Sequence, residues 1–147
     1  MRNAFQRTLL RSLAKDKNIM LVTGDLGYSV FEPFRDEFPE QYLNVGVAEQ
    51  DMIGIAAGLA MSGKTVFAYS IGTFASMRAF EHVRDDVAYH NLPVRIVGVG
   101  GGFSYGHMGV THWALEDMAI MRSLPNMAVV APIDPLETEA VTDFAVR

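Results

Sequence analysis

The chain has 147 residues, of which 50% are hydrophobic and 20% are charged, and its formal net charge at pH 7 is −5. A chain of this length buries roughly two-thirds of the surface that its unfolded state exposes, so we expect one domain, residues 1–147. The negative charge and the lack of a Lys/Arg cluster argue against nucleic acid as a partner. The sequence has no cysteine, which excludes disulfides, thiolate nucleophiles and cysteine-bound zinc.

The longest apolar stretch, residues 52–63, is shorter than the roughly 20 residues that a membrane span requires. The N-terminus has the pattern of an amphipathic helix rather than that of a signal peptide. We therefore expect no membrane association and a cytoplasmic location. The apolar fraction exceeds what a solitary domain of this size usually buries, which indicates an interface with another chain.

Helical and strand-like patterns alternate along the whole chain. The predicted helical segments are 3–14, a short or irregular piece at 30–38, 49–60, 74–89, 115–123, and a last helix that opens at Asp134-Pro135 and continues to the final residue. The predicted strands are 19–23, 42–45, 65–69, 94–99 and 127–131. Because the chain ends inside a helix, we expect either a truncation or a continuation on another polypeptide.

The strands lack two-residue alternation and are separated by helices, which predicts an α/β fold: a three-layer sandwich with a mostly parallel sheet between helices. In such folds, function gathers at the carboxyl ends of the strands. Loops 24–29, 70–74 and 100–112 are therefore the places to look for a site. The glycine-rich part of the last loop does not match the dinucleotide fingerprint, and we interpret it as an adaptable substrate loop.

Glu49 follows a strand and opens an unusually apolar helix. Taken alone, an acidic residue in a first helical turn is ordinary, since it interacts favourably with the helix dipole. The surrounding residues Asn44-Val-Gly-Val-Ala-Glu-Gln50 change this interpretation. They resemble the glycine-x-alanine/arginine-glutamate motif of thiamine diphosphate enzymes related to transketolase, deoxyxylulose phosphate synthase and the beta subunits of 2-oxoacid dehydrogenases.

The resemblance implies the fold of a pyrimidine-binding module and a catalytic, cofactor-binding role for Glu49. In that family the motif's glutamate hydrogen-bonds N1′ of the aminopyrimidine and favours the imino tautomer, whose N4′ takes the proton from C2 of the thiazolium ring. A carboxyl group with this role needs a water-poor site, and an apolar helix can provide one.

A second matching block is Tyr69-Ser-Ile-Gly-Thr-Phe74. Transketolases place aromatic residues after this glycine-threonine pair to enclose the pyrimidine, so the resemblance implies cofactor binding by Phe74, Met77 and Phe80. Without it, an apolar trio at helical spacing is more often part of a core. By the same correspondence, Asp25 and Leu26 lie near the thiazolium ring.

A third block, residues 109–116 followed by 122–126, resembles the family's threonine-histidine and arginine-x-x-proline-asparagine stretches. It implies that His112 faces the donor substrate, where a histidine can donate a hydrogen bond or move a proton near neutral pH. A lone loop histidine is otherwise more often structural. His107, His112 and Glu116 do not have metal-ligand spacing, so we predict no metal ligand on this chain.

Arg2 and Ser29 correspond by spacing to groups that bind the donor's phosphate in transketolase, a role that an arginine and a hydroxyl can fill. The chain also departs from the family. Glycine stands at 100 and 101 in place of a phosphate-binding histidine, and Met108 stands in place of an aspartate that binds a donor hydroxyl. His107 could replace part of that polar function, so the identity of the donor stays open.

These enzymes bind the cofactor's diphosphate through Mg²⁺ on a different domain, with a glycine-aspartate-glycine motif that Gly24-Asp-Leu-Gly27 does not match. We therefore expect the diphosphate-binding and C-terminal domains to be absent from this chain. A diphosphate-binding partner chain would hold the Mg²⁺ and share the thiamine diphosphate. The expected assembly is a heterotetramer or a larger dimer-based complex.

The resemblance favours a split transketolase-like transferase that moves a two-carbon ketol unit from a ketose, phosphorylated or not, to an aldehyde. Two alternatives keep the cofactor: carboligation of the deoxyxylulose-phosphate-synthase type, and 2-oxoacid decarboxylation by a dehydrogenase beta-type subunit. A third is a non-catalytic assembly subunit. The joint presence of Glu49, Phe74 and His112 argues against the third.

Overall fold

Four parallel strands form the central sheet in a computed structural model that describes all 147 residues. Their spatial order is β2-β1-β3-β4, and their bounds are β1 Ile19–Thr23, β2 Tyr42–Asn44, β3 Thr65–Ile71 and β4 Val94–Val99. In the register, Leu21 lies opposite both Tyr42 and Phe67, and Phe67 lies opposite Arg95. The parallel pairing brings all four carboxyl ends to one edge of the sheet.

Helices cover both faces of this sheet. Their bounds are α1 Arg2–Leu13, α2 Glu32–Glu37, α3 Glu49–Met61, α4 Phe80–His82, α5 Asp117–Arg122 and α6 Pro135–Ala145. Two π-helical segments, Phe74–Arg78 and Val83–Ala88, flank α4. Single 3₁₀ turns occur at Pro39–Gln41, Gly106–Met108 and Val110–His112. Every helix is too short or too polar to span a lipid bilayer.

Alternate strand residues supply two separate cores. Val22 and Val66 point to one face, where they pack with Met52 and Ile53 of α3. Leu21 and its register partner Phe67 point to the other face and pack with residues of α1 and α2. All five residues of β1 are buried. The three-layer α/β sandwich predicted from the sequence is confirmed.

The predicted strand at 127–131 is wrong. Met127 and Val129 pack against the core on the α3 side, whereas Ala128, Val130 and Ala131 are exposed. The segment forms no hydrogen-bonded ladder, and β4 pairs only with β3. Its alternating apolar residues reflect packing on one side, and a strand exists only where its backbone also finds a partner.

Two helix predictions need correction as well. The segment predicted as one long helix at 74–89 is interrupted at Ala79 and has mostly π-helical hydrogen bonding. Such bulges are frequent at functional sites. The final helix begins as expected, because the Asp134 side chain accepts a hydrogen bond from the Glu137 N–H, but it ends at Ala145 rather than at the last residue.

Gly27 lies in the loop after β1 and provides a test of how that loop is built. Its φ of +97° favours glycine, and a Cβ added there would lie only 2.1 Å from Cδ2 of the buried Phe31 ring. We expect Gly27→Ala to lower the free energy of unfolding by about 1–3 kcal/mol, through backbone strain and overpacking. Urea denaturation measures this change.

The matched control is Gly101→Ala, since a Cβ at Gly101 would meet no atom within 4 Å. It should leave the unfolding midpoint nearly unchanged. Equal midpoints for both variants would contradict the described packing of this loop.

Candidate functional site

The carboxylate of Glu49 is buried at the carboxyl edge of the sheet. Glu49 is the first residue of α3, and only 2% of its surface is exposed. Oε1 accepts a hydrogen bond from Ser70 Oγ at 3.2 Å, and Oε2 accepts one from Arg78 Nη1 at 2.7 Å. Buried carboxylates are rare unless they are paired, and each oxygen of this one has a single partner from this chain.

Glycine at the end of β1 makes room for this carboxylate. A Cβ added at Gly24 would lie 3.5 Å from both Cγ and Oε1 of Glu49. Ser70 lies near the end of β3. The ends of β1 and β3 and the start of α3 therefore converge on one carboxyl group.

An aromatic wall stands beside the carboxylate. The centroid of the half-buried Phe74 ring lies 5.0 Å from that of His112 in an edge-on arrangement, and Arg78 Cζ lies 4.1 Å from the Phe74 centroid. The Thr73 hydroxyl donates to the carbonyl of Thr111 at 3.1 Å, which ties the His112 loop to the end of β3. The three sequence blocks identified above are thus neighbours in space.

Met77 and Phe80 have less direct positions. Both are half-buried, and Phe80 packs against the core on the α3 side. Part of its ring therefore stabilises the fold, as expected for an apolar residue on a covered helix. Their predicted contact with a cofactor stays a prediction.

The loop after β1 is held in an unusual conformation. Asp25 and Ser29 have φ values of +55° and +60°, which are uncommon outside glycine and tend to cluster at functional sites. Asn44 braces the loop: its Oδ1 accepts from the N–H groups of Asp25 and Gly46, and its Nδ2 donates to Asp25 Oδ1 at 3.0 Å. Tyr28 OH donates to the same carboxylate oxygen at 3.0 Å. Leu26 packs against the α1-side core.

The predicted substrate residues Arg2, Ser29 and His107 are exposed. The Ser29 N–H donates to Glu32 Oε1 at 2.7 Å, and hydrogen bonds from the backbone of Glu32 itself and of Ser29 lower the pKa of the Glu32 carboxyl. Arg2 opens α1, and His107 lies in a 3₁₀ turn. No hydrogen bond or ring contact connects any of the three to Glu49. The structure therefore brings together the cofactor-side residues more closely than the substrate-side ones.

Sequence reasoning missed two residues of the site, Ser70 and Arg78. Ser70 lies inside a motif that we identified, but a strand serine carries no signal of its own. Arg78 follows Phe74 by four residues, a spacing that places side chains on one helical face. Its pairing with Glu49 spans 29 positions and leaves no local pattern.

An α/β domain with a parallel sheet and a buried carboxylate at the carboxyl edge is the class that fold and site define. The sequence profile described as "Transketolase, pyrimidine binding domain" matches residues 1–147. The chain belongs to the family of transketolase pyrimidine-binding domains.

Curated relatives agree with this assignment. A protein named "Putative transketolase C-terminal section" from Methanocaldococcus jannaschii is 47% identical over 142 residues, which cover 96% of this chain and 45% of that protein. An apulose-4-phosphate transketolase subunit from Phocaeicola vulgatus is 42% identical over 146 residues, with 99% and 47% covered. The chain spans about half the length of these relatives.

Solved structures show the same fold. "Split gene transketolase, inactive beta4 tetramer" superposes with a TM-score of 0.87 at 38% identity, covering 99% of this chain and 47% of that one. Transketolase from Leishmania mexicana gives a TM-score of 0.87 at 27% identity, with 99% and 23% covered. The structure accordingly has the thiamine diphosphate-binding fold of transketolases.

Tyr69, beneath the site, provides a test of its burial. Burial raises the pKa of the Tyr69 phenol to about 12, Tyr105 acts in the same direction, and the Arg2 guanidinium opposes them. Between pH 10 and 12 the native chain therefore keeps a proton that the unfolded chain has lost, so stability falls as the pH rises. We expect this group to remove about 3 kcal/mol of unfolding free energy across that window.

Urea unfolding at several pH values measures this dependence. Tyr69→Phe should reduce it, whereas Tyr89→Phe, which alters an exposed ring, should leave it as in the wild type. The same pH dependence in Tyr69→Phe as in the wild type would contradict the burial of the phenol.

Proposed function

We propose that this chain is the pyrimidine-side subunit of a thiamine diphosphate-dependent transketolase-type enzyme, which transfers a two-carbon ketol unit from a ketose to an aldehyde. The observation that carries the proposal is the Glu49 carboxylate, 2% exposed and adjacent to the Phe74–His112 wall. Family membership and the transketolase names of the relatives support it.

The side chains at this edge fit an aminopyrimidine. A buried carboxyl oxygen can share a proton with a ring nitrogen, and a half-buried phenylalanine offers a face for stacking. When bound, thiamine diphosphate supplies a carbon nucleophile that adds to a ketone and accepts the electron pair of the bond that breaks. This chain would contribute the proton relay at Glu49, the stacking face of Phe74, and apolar contacts from Met77 and Phe80.

Ser70 would act as a positioning residue for Glu49. Its hydroxyl donates to Oε1 and fixes one oxygen, so that the other is directed towards the Phe74 side. Asp25 and Leu26, held by Asn44, would line the thiazolium side. Their braced loop would keep that side fixed while the reaction proceeds.

His112 is the candidate for proton transfer to the substrate. Its Nδ1 lies 2.9 Å from Thr111 Oγ1, which leaves Nε2 available for a substrate oxygen. Arg2, Ser29 and His107 would bind the far end of the donor, where an arginine and a hydroxyl suit a phosphate group.

A partner chain would complete the site. We propose that a diphosphate-binding subunit holds Mg²⁺ and the diphosphate, in a heterotetramer or larger dimer-based assembly, and that this domain supplies only the pyrimidine side. Two findings support this: the chain spans about half of its relatives, and a similar split transketolase is described as inactive when it forms a beta4 tetramer.

Glu49→Ala tests the proposed mechanism in the reconstituted complex. We expect kcat for ketol transfer to fall at least about 10²-fold, because no other carboxyl group lies at the site to relay the proton. Assembly should be nearly unaffected. The assay measures turnover with a panel of ketose, ketose phosphate and 2-oxoacid donors.

Asp51→Asn is the matched control, since Asp51 lies in the same helical turn but is exposed. It should retain wild-type turnover. Wild-type turnover by Glu49→Ala would sink the mechanism. Activity of the wild-type complex with 2-oxoacids alone would replace ketol transfer by decarboxylation.

A further inference from the structure

Arg78 contacts both parts of the proposed pyrimidine site at once. Its Nη1 donates to Glu49 Oε2 at 2.7 Å, and its Cζ lies 4.1 Å from the centroid of the Phe74 ring. The Arg78 side chain is 44% exposed, whereas that of Glu49 is 2% exposed. One solvent-accessible side chain therefore covers a buried carboxylate and an aromatic face.

The guanidinium group resembles an aminopyrimidine in the properties that matter here. It is planar and delocalised, it donates N–H hydrogen bonds from its edge, and it stacks on aromatic faces. A carboxylate and an aromatic face are also the two surfaces that the proposed function assigns to the aminopyrimidine. Both partners cannot occupy these surfaces together.

We propose that Arg78 stands in for the aminopyrimidine in the cofactor-free chain and is displaced when the cofactor binds. The inference rests on the proposed function and adds a residue to it. Arg78 is a positioning residue: it holds the Glu49 carboxylate in place before the cofactor arrives, and it opposes cofactor binding by competition.

Burial explains why such a substitute is needed. Ser70 donates only to Oε1, so without Arg78 the second oxygen of Glu49 would have no partner from this chain. An unpaired buried charge is strongly destabilising. The exposed end of Arg78 can move into solvent on its flexible stem, and the ring that replaces it restores a partner to the carboxylate.

Cofactor affinity distinguishes competition from permanent support. The probe is thiamine diphosphate with Mg²⁺, titrated calorimetrically into the complex of the complete subunit and its partner. Arg78→Met keeps a long apolar stem and removes the competing group. We expect its Kd to fall about tenfold, equivalent to ~1.4 kcal/mol. A residue that supported Glu49 in the loaded site would instead raise the Kd when removed.

Arg84→Met is the matched control, because Arg84 lies in the adjoining helical segment and pairs only with exposed Asp85. Its Kd should equal that of the wild type. Arg78→Lys retains the charge but lacks the planar group, so its Kd should lie between those of the wild type and Arg78→Met. If Arg78→Met does not fold, this variant decides, and a Kd at or above the wild-type value overturns the inference.

A measurement without cofactor gives an independent readout. Arg78→Met should lower the unfolding midpoint of the complete subunit, and the effect should largely vanish in a Glu49→Gln background, as a double-mutant cycle measures. An equal effect in both backgrounds overturns the inference. So does an unchanged or raised Kd for Arg78→Met. If the wild-type complex binds no cofactor, the proposed function falls as well.

Discussion

The placement of a charged carboxyl group inside the fold is the constraint on which the rest of the site depends. Glu49 is buried at the start of an apolar helix, and its two oxygens rely on one donor each, Ser70 and Arg78. A group in this position has lost water without gaining a full set of fixed partners. Such a carboxyl group is well suited to share a proton with a bound ligand, which is the role that the proposed enzyme requires of it.

The sheet explains how distant residues reach this carboxyl group. Parallel pairing brings the ends of β1 and β3 together, and these strands and the loops that follow them contribute Gly24 and Ser70 on one side and Phe74 on the other. A hydrogen bond from Thr73 attaches the His112 loop to the same edge. The cofactor side is therefore rigidly connected to the core, whereas the residues proposed to bind the donor are exposed and less constrained. This division suits a fixed cofactor chemistry in which the substrate can vary.

Much of this can be predicted because local patterns follow burial. The strand at 19–23 and the helix at 49–60 are evident from apolar runs, and Glu49 from the motif before it. The failures involve interactions without a local signal. Residues 127–131 have a strand-like composition but no hydrogen-bonded neighbour, and the π-helical turns at 74–88 depend on packing against α3 and β3. The pairing of Arg78 with Glu49 is a tertiary event between residues that no sequence period connects.

The most direct test of the central claim is a crystal structure of the complete subunit with its diphosphate-binding partner and thiamine diphosphate. The measured quantity is the distance between the Glu49 carboxylate and N1′ of the aminopyrimidine. We predict a hydrogen bond of about 2.6–3.2 Å, with the ring on the face of Phe74. A cofactor bound with N1′ beyond hydrogen-bond reach of Glu49 would contradict the account.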